Sequence, residues 1–195
     1  MNYLAHAYLS GKNEQLLVGN FIADAVKGKA IDDYPEEVRN GIVLHRAIDE
    51  YTDNHPMHKL SRQRLHPRYG HYAGVMIDIY YDHFLAVNWS SYAESRLSDY
   101  TSYVYSILQM NSSILPEKIN YMLRYMIPQN WLLNYANFDG VRKVFQGLAN
   151  RTKFESKMES GVEDLQAHYG LFEAEFKNFF PQLKSFVENK MNTAS

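Results

Sequence analysis

Apolar residues recur along the chain at steps of three and four, and the strict alternation of a half-buried strand is scarce. The spacing predicts a helix over residues 14–27 (EQLLVGNFIADAVK), ended near Gly28. Asp32 and Asp33 ahead of Pro35 signal a second start, so the next helix runs from about Glu36 to Asp53, and Pro56 bars its continuation. A short basic stretch from His58 to Tyr69 is interrupted by Pro67 and stops at Gly70. Residues 72–88 are apolar nearly all round, the mark of a helix buried at the centre of a fold. Helices follow at Tyr92–Met110, Glu117–Asn137 and Val141–Leu148. The last, about Val162–Lys190, stacks Leu165, Tyr169, Phe172, Phe176, Phe179, Leu183 and Val187 on one face, and Pro181 should kink or split it. The pattern predicts an all-α protein: a single compact domain over residues 1–195, with about seven to nine helices.

Against this apolar background, several ionisable groups stand where a core should be. Asp24 sits in FIADAV, and Asp78 and Asp82 sit in VMIDIYYDHFLAV. A buried, unpaired carboxylate costs several kcal/mol or takes up a proton, so such positions need a cation, hydrogen bonds or a metal. Asp78 and Asp82 are four apart and share a helical face; His45 and Asp49 repeat that step on the earlier helix, and Asp53 extends it by a turn. Two helices that each offer a pair of ligands inward build a metal site, and His6 and Asp24 complete its shell. The plainer reading makes Asp78 and Asp82 buried partners for Arg46, Arg68 or Arg124. His83 lies roughly 100° round the helix from Asp82, so the two cannot point the same way.

Composition narrows the chemistry. The 195 residues contain no Cys, which excludes thiol nucleophiles, disulfides and thiolate metal sites. Any metal is therefore held by His, Asp, Glu and water, which favours Mn²⁺, Mg²⁺, Fe²⁺ or Zn²⁺. A formal charge of −2 argues against a protein-wide cationic surface and so against nucleic acid as the partner. The opening MNYLAHAYLSGKNEQ lacks the basic and apolar regions of a secretory signal. The most apolar segment, Gly74 to Trp89, is broken by Asp78, Asp82 and His83, so no membrane span and a cytoplasmic location are expected. The sequence has no GxSxG elbow, P-loop, GxGxxG or HExxH.

One charge anomaly remains. No acidic residue occurs from Asn54 to Ile77, while Lys59, Arg62, Arg64 and Arg68 do. These residues either form a solvated face whose arginines pair with acids elsewhere, or receive an anionic substrate or partner beside the site. Arg46, next to His45, has the bidentate geometry that suits phosphate oxygens.

The segments MNYLAHAYLS, GNFIADAVKG, GIVLHRAIDEYTD and DIYYDHFLAVNW, followed by WLLNY, AHY at 167–169 and FFPQL, resemble the acyl carrier protein phosphodiesterase family over nearly the whole chain. The family's motifs match at His6, Asn20, Asp24, His45, Arg46, Asp49, Asp53, Asp78, Asp82 and His83. The resemblance implies an all-helical relative of the HD-type metal phosphohydrolases that removes the 4′-phosphopantetheine arm from holo acyl carrier protein, with Mn²⁺ as activator. No adjacent His-Asp pair occurs here, only the reverse Asp82-His83. Joined to the residue pattern, the resemblance gives Asp24, His45, Asp78 and Asp82 as metal ligands and Asp49 as the group that orients water. His6 or His83 would be the proton donor, and Arg46 would offset phosphoryl charge. Lys59, Arg62, Arg64 and Arg68 would face the acidic carrier protein, with the aromatic helices along the pantetheine arm. The alternatives are a phosphohydrolase of nucleotides or other small diesters, and a non-catalytic helical module that binds a carrier protein.

Overall fold

In a computed structural model describing residues 1–152 and 155–193, the apolar segment read as the fold's centre becomes α5 (Ala73–Val87). Its Tyr80, Tyr81, Phe84 and Leu85 are wholly buried. The long C-terminal helix α11 (Tyr169–Thr193) lays Phe172, Phe176, Phe179 and Phe180 against it, with the Tyr81 ring 5.6 Å from Phe176 and 5.2 Å from Phe179. The remaining helices surround this pair in the order α1 (Tyr3–Leu9), α2 (Glu14–Ile22), α3 (Glu36–Asn54), α4 (Pro56–Tyr69), then α6 (Leu97–Met110), α7 (Glu117–Met126), α8 (Trp131–Asn134), α9 (Phe138–Ala149) and α10 (Gly161–Ala167). Among the described residues there is no strand, and no helix is long and apolar enough to cross a membrane.

Eleven α-helices lie among the described residues, the count above nine coming from short pieces that escape periodicity. The segment 117–137 breaks after Met126, where Asn130 adopts a left-handed φ of 45°, and resumes as the four-residue α8. The stretch 162–190 breaks at His168, not at Pro181. Pro181 removes one backbone hydrogen bond, but the buried apolar face on both sides of it, Phe179 and Phe180 before and Leu183 and Val187 after, keeps α11 continuous. The stretch 58–69 is a full helix, with Pro56 in its first turn and His55 as its cap, Nδ1 accepting from the Met57 N–H at 3.2 Å.

Two features position the site. The first is the crossing of α2 and α3 at Gly19 and Gly41. A Cβ on Gly41 would lie 2.2 Å from the Leu16 carbonyl oxygen, and one on Gly19 would lie 2.0 Å from that of Val38, so only glycine permits this approach. The second is α1, whose seven residues are too few to be stable alone. Asp82 of α5 anchors it, accepting the N–H groups of Asn2 (3.2 Å), Leu4 (2.8 Å) and Ala5 (3.3 Å). The orphan donors at the start of α1 are thus satisfied by a carboxylate from another helix.

Candidate metal centre

With α1 anchored and α2 pressed onto α3, His6, Asp24, His45 and Asp49 converge. The His6 and His45 rings stack face to face, with centroids 3.9 Å apart and planes 18° from parallel. Asp49 follows His45 by one helical turn, and its oxygens lie 3.2 Å from His6 Nε2 and 3.0 Å from His45 Nε2. Asp24, in the single turn of 3-10 helix after α2, lies 3.4 Å from His45 Nε2 and is largely exposed at the cavity mouth. Ligand atoms of His6, His45 and Asp49 all fall within 4.8 Å of one another, the spacing of a metal site.

The electrostatics fit a cation. Burial pulls the His45 imidazole down, but the neighbouring Asp24 and Asp49 carboxylates more than reverse this and raise it to about 9. Burial opposes ionisation of Asp49, yet its contacts with His45 and His6 hold it well below the usual carboxylate range. Asp24 is held low by His45, and burial pushes His6 down. The cavity of about 260 Å³ is lined by four carboxylates (Asp24, Asp49, Asp53 and Asp78), with no Lys or Arg among its walls. The buried Nε2 atoms of both His6 and His45 lack a hydrogen-bond partner of regular geometry. Two orphaned imidazole nitrogens beside an ionised carboxylate are the donor set that a borderline divalent cation takes.

Of the other residues singled out by sequence, Asp53 and Asp78 line the cavity without joining the cluster, and the rest, Asn20 apart, lie outside it. Asp78 lines the same cavity but faces the Met1 amino nitrogen at 2.9 Å and His58 Nε2 at 3.3 Å. Although burial opposes this, those two neighbours hold its carboxyl low. Asp82 stands outside the cluster, its oxygens taken up by the α1 backbone, and burial pushes it up to about 7. His83 is bonded through Nδ1 to the Tyr135 carbonyl oxygen (2.7 Å) and approaches the Tyr169 hydroxyl (3.2 Å), away from the cavity. Arg46 is exposed on α3 and does not reach the cavity wall, because its neighbour His45 occupies the inward face. On α4, Arg64 binds Glu175 at 2.8 Å and Arg68 binds Asp164 at 2.8 Å, while Lys59 and Arg62 stay exposed. Asn20 enters the site as a hydrogen-bonding partner of both histidines, a role its motif position did not disclose. An amide among apolar residues on a predicted helix was the only available signal.

The family model described as acyl carrier protein phosphodiesterase matches residues 1–183. A Photorhabdus laumondii protein named acyl carrier protein phosphodiesterase is 32% identical over 191 residues, spanning 97% of this chain and 96% of its own. Proteins of the same name from Enterobacter sp. and Escherichia coli O6:H1 are 31% and 30% identical, each match covering 97% of this chain and 99% of theirs. No solved structure matches the chain. A family model covering nearly the whole sequence, and relatives aligned almost end to end, place the chain in the acyl carrier protein phosphodiesterase family.

Proposed function

We propose that the protein is a metal-dependent phosphodiesterase that hydrolyses the 4′-phosphopantetheine arm from holo acyl carrier protein, working in the cytoplasm on the carrier of fatty acid biosynthesis. Its relatives' names support the substrate and reaction class. Metal dependence rests on one observation: the four carboxylates lining the cavity outnumber its two positive groups, the Met1 amino terminus and protonated His45, so it repels a phosphodiester anion unless a further cation intervenes.

His6 Nε2, His45 Nε2 and Asp49 would hold that cation, with Asp24 at the mouth as a further oxygen ligand. Mn²⁺ is our first choice, and Mg²⁺, Fe²⁺ and Zn²⁺ suit the same nitrogen and oxygen donors. When bound, the metal supplies Lewis acidity toward a phosphoryl oxygen and toward the attacking water. Asp49, ionised and half-buried, orients that water by accepting its hydrogen. Water adds to phosphorus and gives up one proton by way of Asp49 to solvent, the bond to the carrier serine oxygen breaks, and the products are apo carrier protein and free 4′-phosphopantetheine. The serine oxygen departs at the open mouth, where solvent returns its proton. His6 has no nitrogen free for that task, since Nδ1 is bonded to Asn20 and Nε2 belongs to the cluster, and His83 lies outside the cavity.

The cavity is smaller than the ~300–1,000 Å³ of sites that enclose a drug-sized ligand, so it takes the phosphodiester and leaves most of the arm outside. The exposed cations Lys59 and Arg62 supply the attraction for an acidic carrier, while Arg64 and Arg68 already serve the protein's own acids. Incubation of holo acyl carrier protein with the purified protein and Mn²⁺, followed by intact mass, tests the reading. We expect conversion to the apo mass, abolished by EDTA. Carrier protein left intact while small phosphodiesters are cleaved would move the substrate elsewhere; no turnover of either would favour a binding module.

A further inference from the structure

Both imidazoles of the cluster depend on one residue. Asn20, wholly buried on α2, accepts from His6 Nδ1 through its side-chain Oδ1 at 2.8 Å and meets His45 Nδ1 with its own backbone carbonyl oxygen at 2.9 Å. The orientation of its amide is determined by its neighbours. Nδ2 donates to the His6 carbonyl oxygen at 2.8 Å and to Ser10 Oγ at 3.0 Å, and Ser10 Oγ donates its own hydrogen to the same carbonyl at 2.9 Å. A flipped amide would set its oxygen against an acceptor carbonyl and a hydroxyl whose hydrogen is already engaged. Oδ1 therefore faces His6.

A carbonyl oxygen only accepts, so Nδ1 carries the hydrogen on both rings. Each ring must be neutral to bind a metal, and a neutral imidazole has a single N–H, so the lone pair then lies on Nε2, the two buried atoms that lack a regular partner and turn toward Asp49. We propose that Asn20 is the positioning residue of the site, setting His6 through its side chain and His45 through its backbone so that both Nε2 lone pairs meet one divalent cation. The inference rests on the metal-centre reading above. The close approach at Gly19 and Gly41 brings the Asn20 backbone within reach of α3. Outer partners of this kind, when removed, weaken metal binding by about 10–100-fold.

The division of labour is testable. Asn20→Ala removes the acceptor of His6 and keeps that of His45. Long-range ¹H–¹⁵N correlations on the metal-free wild type near neutral pH should show His6 with hydrogen on Nδ1; in Asn20→Ala the Nε2–H form should appear. Mn²⁺ affinity, read by electron paramagnetic resonance of the free ion, should fall about 10–100-fold in Asn20→Ala. It should stay near wild type in Gly147→Ala, on α9 and outside the cavity lining. The wild-type tautomer decides even where Asn20→Ala fails to fold. Mn²⁺ bound with His6 in the Nε2–H form, or bound equally tightly by folded Asn20→Ala, would overturn the proposal alone. A wild type that binds no Mn²⁺ would overturn the metal-centre reading and this proposal with it.

Discussion

In the absence of a cation, His45 is charged at neutral pH, because two carboxylates raise it to about 9. A metal must displace that proton, so binding near pH 7.5 should release about one proton, and apparent affinity should climb with pH until about 9. Calorimetry in two buffers of different ionisation heat reads this; binding without proton release would mean that His45 starts neutral. The same shift predicts how the metal-free fold responds to pH. The His45 contribution to stability is fully present below its unfolded value of ~6.5 and is lost as pH rises through about 9. The Asp49 contribution runs the other way, present above ~3.9 and lost as pH falls. Urea midpoints of metal-free protein should therefore decline toward both extremes. The His45–Asp49 pair was legible from its four-residue spacing; His6 and Asp24 were singled out by residue type alone, and Asp24, expected in a core, is largely exposed. Asp82 was legible only as a buried carboxylate in need of a partner: sequence cannot show that the partner is a set of backbone N–H groups rather than a metal.

That partnership makes α1 the element most exposed to a single change. Asp82→Ala would leave buried donors at the start of α1 without an acceptor, each worth about 1–3 kcal/mol, so its denaturation midpoint should fall markedly and His6 should loosen. A midpoint equal to wild type would show that α1 is held by other contacts. The α2–α3 crossing gives a sharper comparison. Gly41→Ala drives a Cβ into the Leu16 carbonyl and the Asn20 nitrogen, separating the helices that carry the site, and should cost about 1–3 kcal/mol. Gly147→Ala on α9 meets nothing within 4 Å and should stabilise by about 0.5–1 kcal/mol. Thermal unfolding of the two variants measures both. The long helices α3 and α5 were readable to within a residue or so of their ends, since each has a sustained apolar pattern. Helix α1 was not, because seven residues give too short a run for periodicity and its stability comes from α5.

At the scale of the whole molecule, the apolar centre was visible in the sequence, but the use of its charges was not. In the acid-free stretch, Arg64 and Arg68 pair with the protein's own acids, whereas Lys59 and Arg62 are exposed and, under the proposed function, meet the carrier protein. Charge reversal at Lys59 and Arg62 should raise KM for the carrier protein with kcat unchanged. Reversal at Arg64 or Arg68 should lower stability instead, because each would repel the acid it now binds. Steady-state kinetics beside thermal unfolding separates the two, and equal KM effects from all four residues would contradict the division. The activity proposed for this protein requires that His6, His45 and Asp49 hold a metal. The most direct measurement is a Mn²⁺ titration of the metal-stripped protein, followed by electron paramagnetic resonance, for wild type, His45→Ala and Asp49→Ala. Wild type should bind Mn²⁺ saturably, and both folded variants should lose that binding. Binding that survives unchanged in the variants, or is absent from the wild type, would contradict this metal assignment.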